Sequence, residues 1–237
     1  MVFSHVLITR FNVRIQWQYT FRGCDPDWLA ERFRLFDRYC FPSVVAQTNA
    51  NFVWLVFFDA ETPEPFRSRL HQYAQFEPFQ PIFVREFSRD VFREALAGLG
   101  YLDRPFLITS RLDNDHALAR DYIDRVQKAF TPQDRTFINF PTGLILRHGA
   151  LFQGRDPHSH FVSLIEKSQD ALTVYVNHSR IMEYGSVVQL DGPPAWLEVR
   201  HPGRLTDKGI SPVGNQFAER TSPIFFRQLP SFNRSPG

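Results

Sequence analysis

Glycine is missing where many nucleotide-binding proteins need it. The stretch after the first apolar run, Thr9-Arg10-Phe11-Asn12-Val13-Arg14, contains none. No Gly-X-Gly-X-X-Gly follows that run and no Gly-Lys-Ser/Thr occurs anywhere, which argues against dinucleotide-binding and P-loop folds. Cysteine is almost as scarce. Cys24 and Cys40 lack metal-type spacing and read as free thiols, so a reduced, cytoplasmic setting is expected. The 237 residues suffice to bury a core without disulfides. No apolar run approaches the roughly 20 residues of a membrane span. The opening Met1-Val2-Phe3-Ser4-His5-Val6 lacks the pattern of a secretion signal. Charge of one sign is lacking too: the net charge is +2, so a nucleic-acid partner is not expected.

What is abundant is phenylalanine, 25 residues, and arginine, which supplies nearly all of the 27 basic side chains. Arginine's planar fork suits phosphates and carboxylates. A bias in coding toward arginine explains the excess as a whole equally well.

The first half alternates strand and helix patterns. His5 to Phe11 reads as a central strand. Asn12, Arg14 and Gln16 follow its end, where open α/β sheets bind ligands, and Arg10, Asn12 and Arg14 are nucleotide-side candidates. Asp25 is a natural N-cap with Pro26 at the first helical position, and the helix is expected to stop before Pro42. Asn51 to Asp59 is a near-continuous apolar strand with Asp59 at its carboxyl edge, a further donor-side candidate. A helix over 65–76, a strand over 81–84 and a helix over 89–99 follow, then a strand over 105–112 and a helix over 117–130. This order predicts right-handed crossovers and a mostly parallel, Rossmann-like sheet in an α/β protein.

After residue 130 short strands at turn-like intervals predict a mixed or antiparallel second half. They include 136–140, 143–147, 150–153, 160–165 and 172–178, with a hairpin at His148-Gly149. Beyond about Val187 the chain reads as loop-rich, and Ser231 to Gly237 as a frayed end.

Ser110-Arg111-Leu112-Asp113-Asn114-Asp115-His116 carries the chemistry. Two carboxylates spaced i, i+2 in extended backbone point to one side, so Asp113 and Asp115 can converge on a hard cation that suits a diphosphate. Spacing alone is uninformative. Fifteen aspartates make about one such triplet by chance, and Asp25 and Asp27 form another at a helix cap. Position at the end of a fourth parallel strand is what singles the pair out.

This layout is similar to a GT-A glycosyltransferase. More narrowly, the chain resembles a bacterial family described as putative rhamnosyltransferases. The resemblance rests on Thr9-Arg10-Phe11-Asn12, Phe41-Pro42-Ser43 with Gln47, Phe52-Val53-Trp54-Leu55-Val56, Thr62-Pro63, Ser110-Arg111-Leu112-Asp113-Asn114-Asp115, Phe140-Pro141 with Gly143, and Val176-Asn177-His178. It implies one GT-A-like domain over 1–237, with a nucleotide-sugar-binding half (1–130) and an acceptor-side half with a loop-rich tail (131–237). It also implies a nucleotide-diphosphate sugar donor, Mn2+ or Mg2+, and transfer to a hydroxyl of a polysaccharide or glycolipid. The donor dTDP-rhamnose comes from the family label alone.

In that frame Asp113 and Asp115 are metal ligands, and His178 is a late-chain third ligand of the kind a manganese-like ion accepts. His116 reads as the start of the next helix, and His158 with His160 as a weaker metal pair near Asp156. Arg111 braces the aspartates or a phosphate, and Arg180 offsets diphosphate charge. A base for the acceptor hydroxyl is sought among Asp156, Glu166 and Glu183, with Glu166 first because it ends a strand.

Two other classes stay open. A sugar nucleotidyltransferase shares this fold and metal use, but should carry a glycine-rich, arginine-containing loop after strand one. A non-catalytic carbohydrate- or nucleotide-binding module would use the aromatic residues as a stacking surface. The segment Ile224-Phe225-Phe226-Arg227 is the candidate for peripheral contact with the inner face of a membrane.

Overall fold

The computed structural model describes residues 2–15 and 20–201, and the backbone of 216–217. Its frame is a seven-stranded sheet. Strands β1 (Phe3–Arg10), β2 (Val53–Asp59), β3 (Phe79–Val84) and β4 (Phe106–Arg111) are parallel neighbours in the order β3-β2-β1-β4. Helices α1 (Pro26–Leu35), α2 (Phe41–Val45), α3 (Glu64–Arg69) and α4 (Arg89–Gly98) lie in the connections. Helix α5 (Tyr122–Lys128) follows a two-residue strand, β5 (Ala117–Leu118). The sheet then turns mixed: β9 (Val162–Lys167) runs antiparallel to both β4 and β6 (Thr136–Asn139), and β10 (Ser186–Gln189) pairs parallel with β6.

A second sheet contains β7 (Thr142–Arg147), β8 (Ala150–Arg155), β11 (Trp196–Arg200) and β12 (Gln216–Phe217), in the order β12-β8-β7-β11-β5. His148 and Gly149 both have positive φ at the tip of the β7–β8 hairpin, the geometry a tight primed turn requires. The expected architecture, parallel strands first and mixed strands after, is the one observed.

Alternation explains the core. Along β1 and β2, Leu7, Trp54, Val56 and Phe58 enter one buried cluster, while Val6, Ile8, Val53, Leu55 and Phe57 enter another on the opposite face. A strand covered on both sides reads as a near-continuous apolar run, and β2 is buried throughout, with Asp59 at its end the one polar residue. Many of the phenylalanines are core residues, among them Phe33, Phe36, Phe57, Phe92, Phe137 and Phe161, all fully buried.

Three expectations need correction. The first helix does not end before Pro42: a π turn, Phe36–Cys40, lets the Phe41 N–H reach back to Phe36 O, and α2 restarts with Pro42 in its first turn, where no amide donor is needed. Residues 117–130 are not one helix, because Ala117 and Leu118 pair antiparallel with Leu197 and Trp196. Residues 172–178 form no strand. Their amides are taken by side chains instead, Leu172 and Thr173 by the Glu166 carboxylate and Val174 by Thr109 Oγ1, with Thr173 at φ +67°. The stretch beyond Val187, expected to be loop-rich, also contains β11, which joins β7 in parallel.

Candidate functional site

The carboxyl ends of β1, β2 and β4 present Arg10, Asp59 and Arg111 at one edge of the parallel sheet, the edge where open α/β sheets bind ligands. Beyond Arg111 the chain stays tied to β1 through Leu112 N, which donates to Ile8 O. It then folds into a turn closed by His116 N to Asp113 O at 3.2 Å, and Asn114 Nδ2 anchors it to Phe11 O at 2.8 Å. The extended backbone assumed for the two aspartates is therefore absent. In a turn, residues two apart face different neighbours.

Asp113 lies beside Arg111, whose Nη2 donates to Oδ2 at 3.1 Å. Burial pushes the Asp113 carboxyl up, but Arg111, Arg10, His160 and His116 outweigh it and hold the group well below the ordinary carboxylate range. Asp115 faces other partners. Its Oδ2 accepts from Arg32 Nη1 at 3.1 Å and lies 3.0 Å from His201 Nε2, and its Oδ1 lies 3.6 Å from His116 Nδ1. Burial again acts upward, while His116, His201 and Arg32 together keep the carboxyl depressed.

The groups that do converge are Asp113, His116 and His160, each offering a ligand atom within 4.8 Å of the others. The His116 and His160 ring centroids are 5.2 Å apart, and Phe161 packs against both rings. His160 Nε2 is buried and has no hydrogen-bond partner among the described residues. Burial and the neighbouring His116 hold the His160 imidazole well below its usual value. His178 stands one step further out, 6.1 Å from His160 between ring centres, and burial followed by Arg111 lowers it too.

The arginines divide by partner. The Arg10 guanidinium sits 4.8 Å over the Tyr175 ring, with Arg111 5.6 Å from the same ring, and Arg10 Nε is buried without a hydrogen-bond partner among the described residues. Arg14 donates to Asp59 Oδ2 at 2.9 Å and to Glu61 Oε2 at 2.5 Å. Asn12 is engaged on both ends of its amide, donating to Gly23 O and Thr62 Oγ1 and accepting from Asp59 N. Asn12, Arg14 and Asp59 thus knit together the loops after β1 and β2.

Three expected site residues, Glu166, Arg180 and Glu183, fall elsewhere. Glu166 pairs in register with Leu107, near the opposite end of β4 from Asp113, and both its oxygens hold backbone amides. Arg180 is exposed and paired with Glu183 three residues on, so neither reaches the aspartates. Asp156 is half-buried; its Oδ1 caps His158 N at 2.8 Å and its charge acts on His178. Gln16 and Ile224 to Arg227 lie outside the described residues, as does 231–237.

Sequence reasoning passed over Arg32, His201 and Tyr175, read His116 as a helix start, and named His160 only as half of a weaker pair with His158, which is exposed. The i, i+3 spacing of Asp113 and His116 across a turn was the available signal for His116. For His160 it was the i, i+2 spacing with His158, and nothing local marks the others, which arrive from α1 and from the segments after β9 and β11.

A mixed α/β sheet thus gathers carboxylate, imidazole and guanidinium groups at the carboxyl edge of its parallel strands. The chain belongs to the family described as putative rhamnosyl transferase, which it matches over residues 16–206. No curated protein matches it. Among solved structures it is similar to S. aureus TarS 1–349 in complex with UDP-GlcNAc, at 8% identity and a TM-score of 0.49, over 85% of this chain and 60% of that one. It is also similar to the inositol-1-phosphate CTP transferase from T. maritima, at 12% identity and a TM-score of 0.36, over 88% of this chain and 94% of that one. The chain thus spans about 60% of the TarS fragment's length, and these likenesses concern general architecture only.

Proposed function

We propose that the protein is a metal-dependent glycosyltransferase that moves rhamnose from dTDP-rhamnose to a hydroxyl of a polysaccharide or glycolipid. The observation that carries this reading is the meeting of a carboxylate, two imidazoles and two arginines at the Asp113–His116 turn, in a chain of this family. Residues 1–130 form the nucleotide-sugar half and residues 131–237 the acceptor side.

The donor set at the turn fits a divalent cation such as Mn2+ or Mg2+. Asp113 is held ionised, and a buried His160 nitrogen has no other partner among the described residues. When bound there, such an ion supplies Lewis-acid stabilisation of the departing diphosphate.

Arg10 and Arg111, held over Tyr175, direct positive charge at the same place, and hydrogen bonds from a guanidinium to phosphate oxygens are among the stronger ones. Of the base candidates Asp156 serves best, because Glu166 is committed to Leu172 and Thr173 whereas Asp156 is half-exposed beside His178. The setting proposed is cytoplasmic, with peripheral contact at the inner face of the membrane when the acceptor is a glycolipid. Both cysteines are free, and among the described residues no helix is long and apolar enough to cross a membrane.

The test is release of nucleoside diphosphate from a panel of nucleotide sugars with Mn2+ and candidate acceptors. dTDP-rhamnose should be the donor consumed. Asp113→Ala should lower the rate by about a hundredfold or more, since a metal's share of charge stabilisation is several kcal/mol. No metal-dependent release from any donor would sink the proposal. Pyrophosphate release from a nucleoside triphosphate and a sugar phosphate would replace it with nucleotidyl transfer.

A further inference from the structure

We propose that the divalent cation is held by Asp113, His116 and His160, and that Asp115, the second aspartate of the Asp-X-Asp, is a positioning residue and not a ligand. This deepens the metal-assisted reading of the same site. It makes the donor set one carboxylate and two imidazoles, supplied by the turn after β4 and the residues just before β9.

The two aspartates differ in what remains open. Asp115 is 5% exposed; one oxygen is shared between Arg32 and His201, and the other faces the ring of His116. A cation taking Asp115 would have to displace the Arg32 guanidinium from a buried carboxylate. Asp113 is the more open, its side chain 29% exposed. Its contacts with Arg111 come from one side, and a carboxylate has about four lone-pair positions. A second direction is therefore left for a metal.

His116 and His160 complete the set. Phe161 lies 5.4 Å from the His116 ring and 4.2 Å from the His160 ring, and stacks on Trp196 at 5.0 Å, so the two imidazoles are braced by the core beneath them. The buried, unpartnered Nε2 of His160 is an independent sign of a missing ligand. Asp115 Oδ1 lies 3.6 Å from His116 Nδ1, which itself accepts from Val199 N at 3.3 Å, so Asp115 acts on His116 through its charge and through its ties to Arg32 and His201, not through a hydrogen bond to the ring.

Donor chemistry sets the metal. Two nitrogen ligands favour borderline cations such as Co2+ or Zn2+, and among the harder ions favour Mn2+, which accepts imidazole, over Mg2+ and Ca2+, which prefer all-oxygen shells. Three protein ligands leave positions for diphosphate oxygens.

Metal binding by the full chain, without donor or acceptor, tests this apart from the transfer reaction. Electron spin echo spectra of bound Mn2+ should show two imidazole nitrogen couplings in the wild type and in Asp115→Asn, and one in His160→Asn. Asp113→Asn and His160→Asn should weaken Mn2+ on the order of a hundredfold, and Asp115→Asn by no more than about tenfold, the lower end of outer-shell effects. The wild-type spectrum decides even if a variant fails to fold. Absence of imidazole coupling, absence of divalent binding, or a loss confined to Asp115→Asn would each overturn the assignment.

Discussion

Glu166 places a carboxylate inside the protein and surrounds it with backbone. Burial pushes its carboxyl up from 4.5 to about 7, against the pull of the Leu172 and Thr173 amides. A carboxyl raised in the folded state stabilises the fold fully below its unfolded value, and that contribution is lost as pH rises through the folded one. Urea titrations should therefore show wild-type stability falling relative to Glu166→Gln between about pH 4.5 and 7, with the difference flat below that window. Glu166→Ala removes the acceptor of two amides and should cost on the order of 1–3 kcal/mol. It should also loosen the segment that carries Tyr175 and His178. Had Glu166 been the catalytic base, Glu166→Gln would abolish transfer; the present placement leaves the rate within a few-fold. At this scale the sequence misled where it assumed local backbone. Asp113 and Asp115 were found by their position after a strand, yet a turn gave them separate partners.

Among elements, the seam between β7 and β11 depends most on one residue. Gly143 is paired with Gly154 across the hairpin, and a Cβ added there would overlap the Trp196 ring. That ring is buried, stacks on Phe161 and donates from Nε1 to Phe140 O at 2.7 Å. Gly143→Ala must displace Trp196 or bend β7, and overpacking of this kind costs about 1–3 kcal/mol. The expected result is a lower midpoint in thermal unfolding. Because Phe161 braces His116 and His160, weaker metal binding should accompany it. Strands β1, β2 and β4 were legible because both faces are buried and each is built on a run of apolar, largely β-branched and aromatic residues. Strands β5 and β11 were not, since two- and five-residue segments carry too little periodicity to reveal which distant partner they pair with.

For the whole molecule, the main buried cluster spans both sheets. Ile145 and Trp196 of the second sheet belong to the same buried cluster as Leu7, Trp54, Ile108 and Ile165 of the first. The second sheet's own cluster, Ala117, Ala119, Leu144, Leu197 and Val199, is small beside the shared one, so unfolding should be a single cooperative transition. Coincident urea curves by far-ultraviolet circular dichroism and tryptophan fluorescence would show it, whereas two separated midpoints would mean that the second sheet melts alone. What the sequence determined by itself was the parallel βα frame, the cap at Asp25 and the position of the aspartates, because strand burial, helix capping and chain order are encoded within a few neighbouring residues. What only the tertiary structure decided was which side chains share the site. His116 and His160 are 44 positions apart in the chain, and Arg32 and His201 reach Asp115 from α1 and from beyond β11. Such meetings follow from how strands and loops pack, and no local pattern records them.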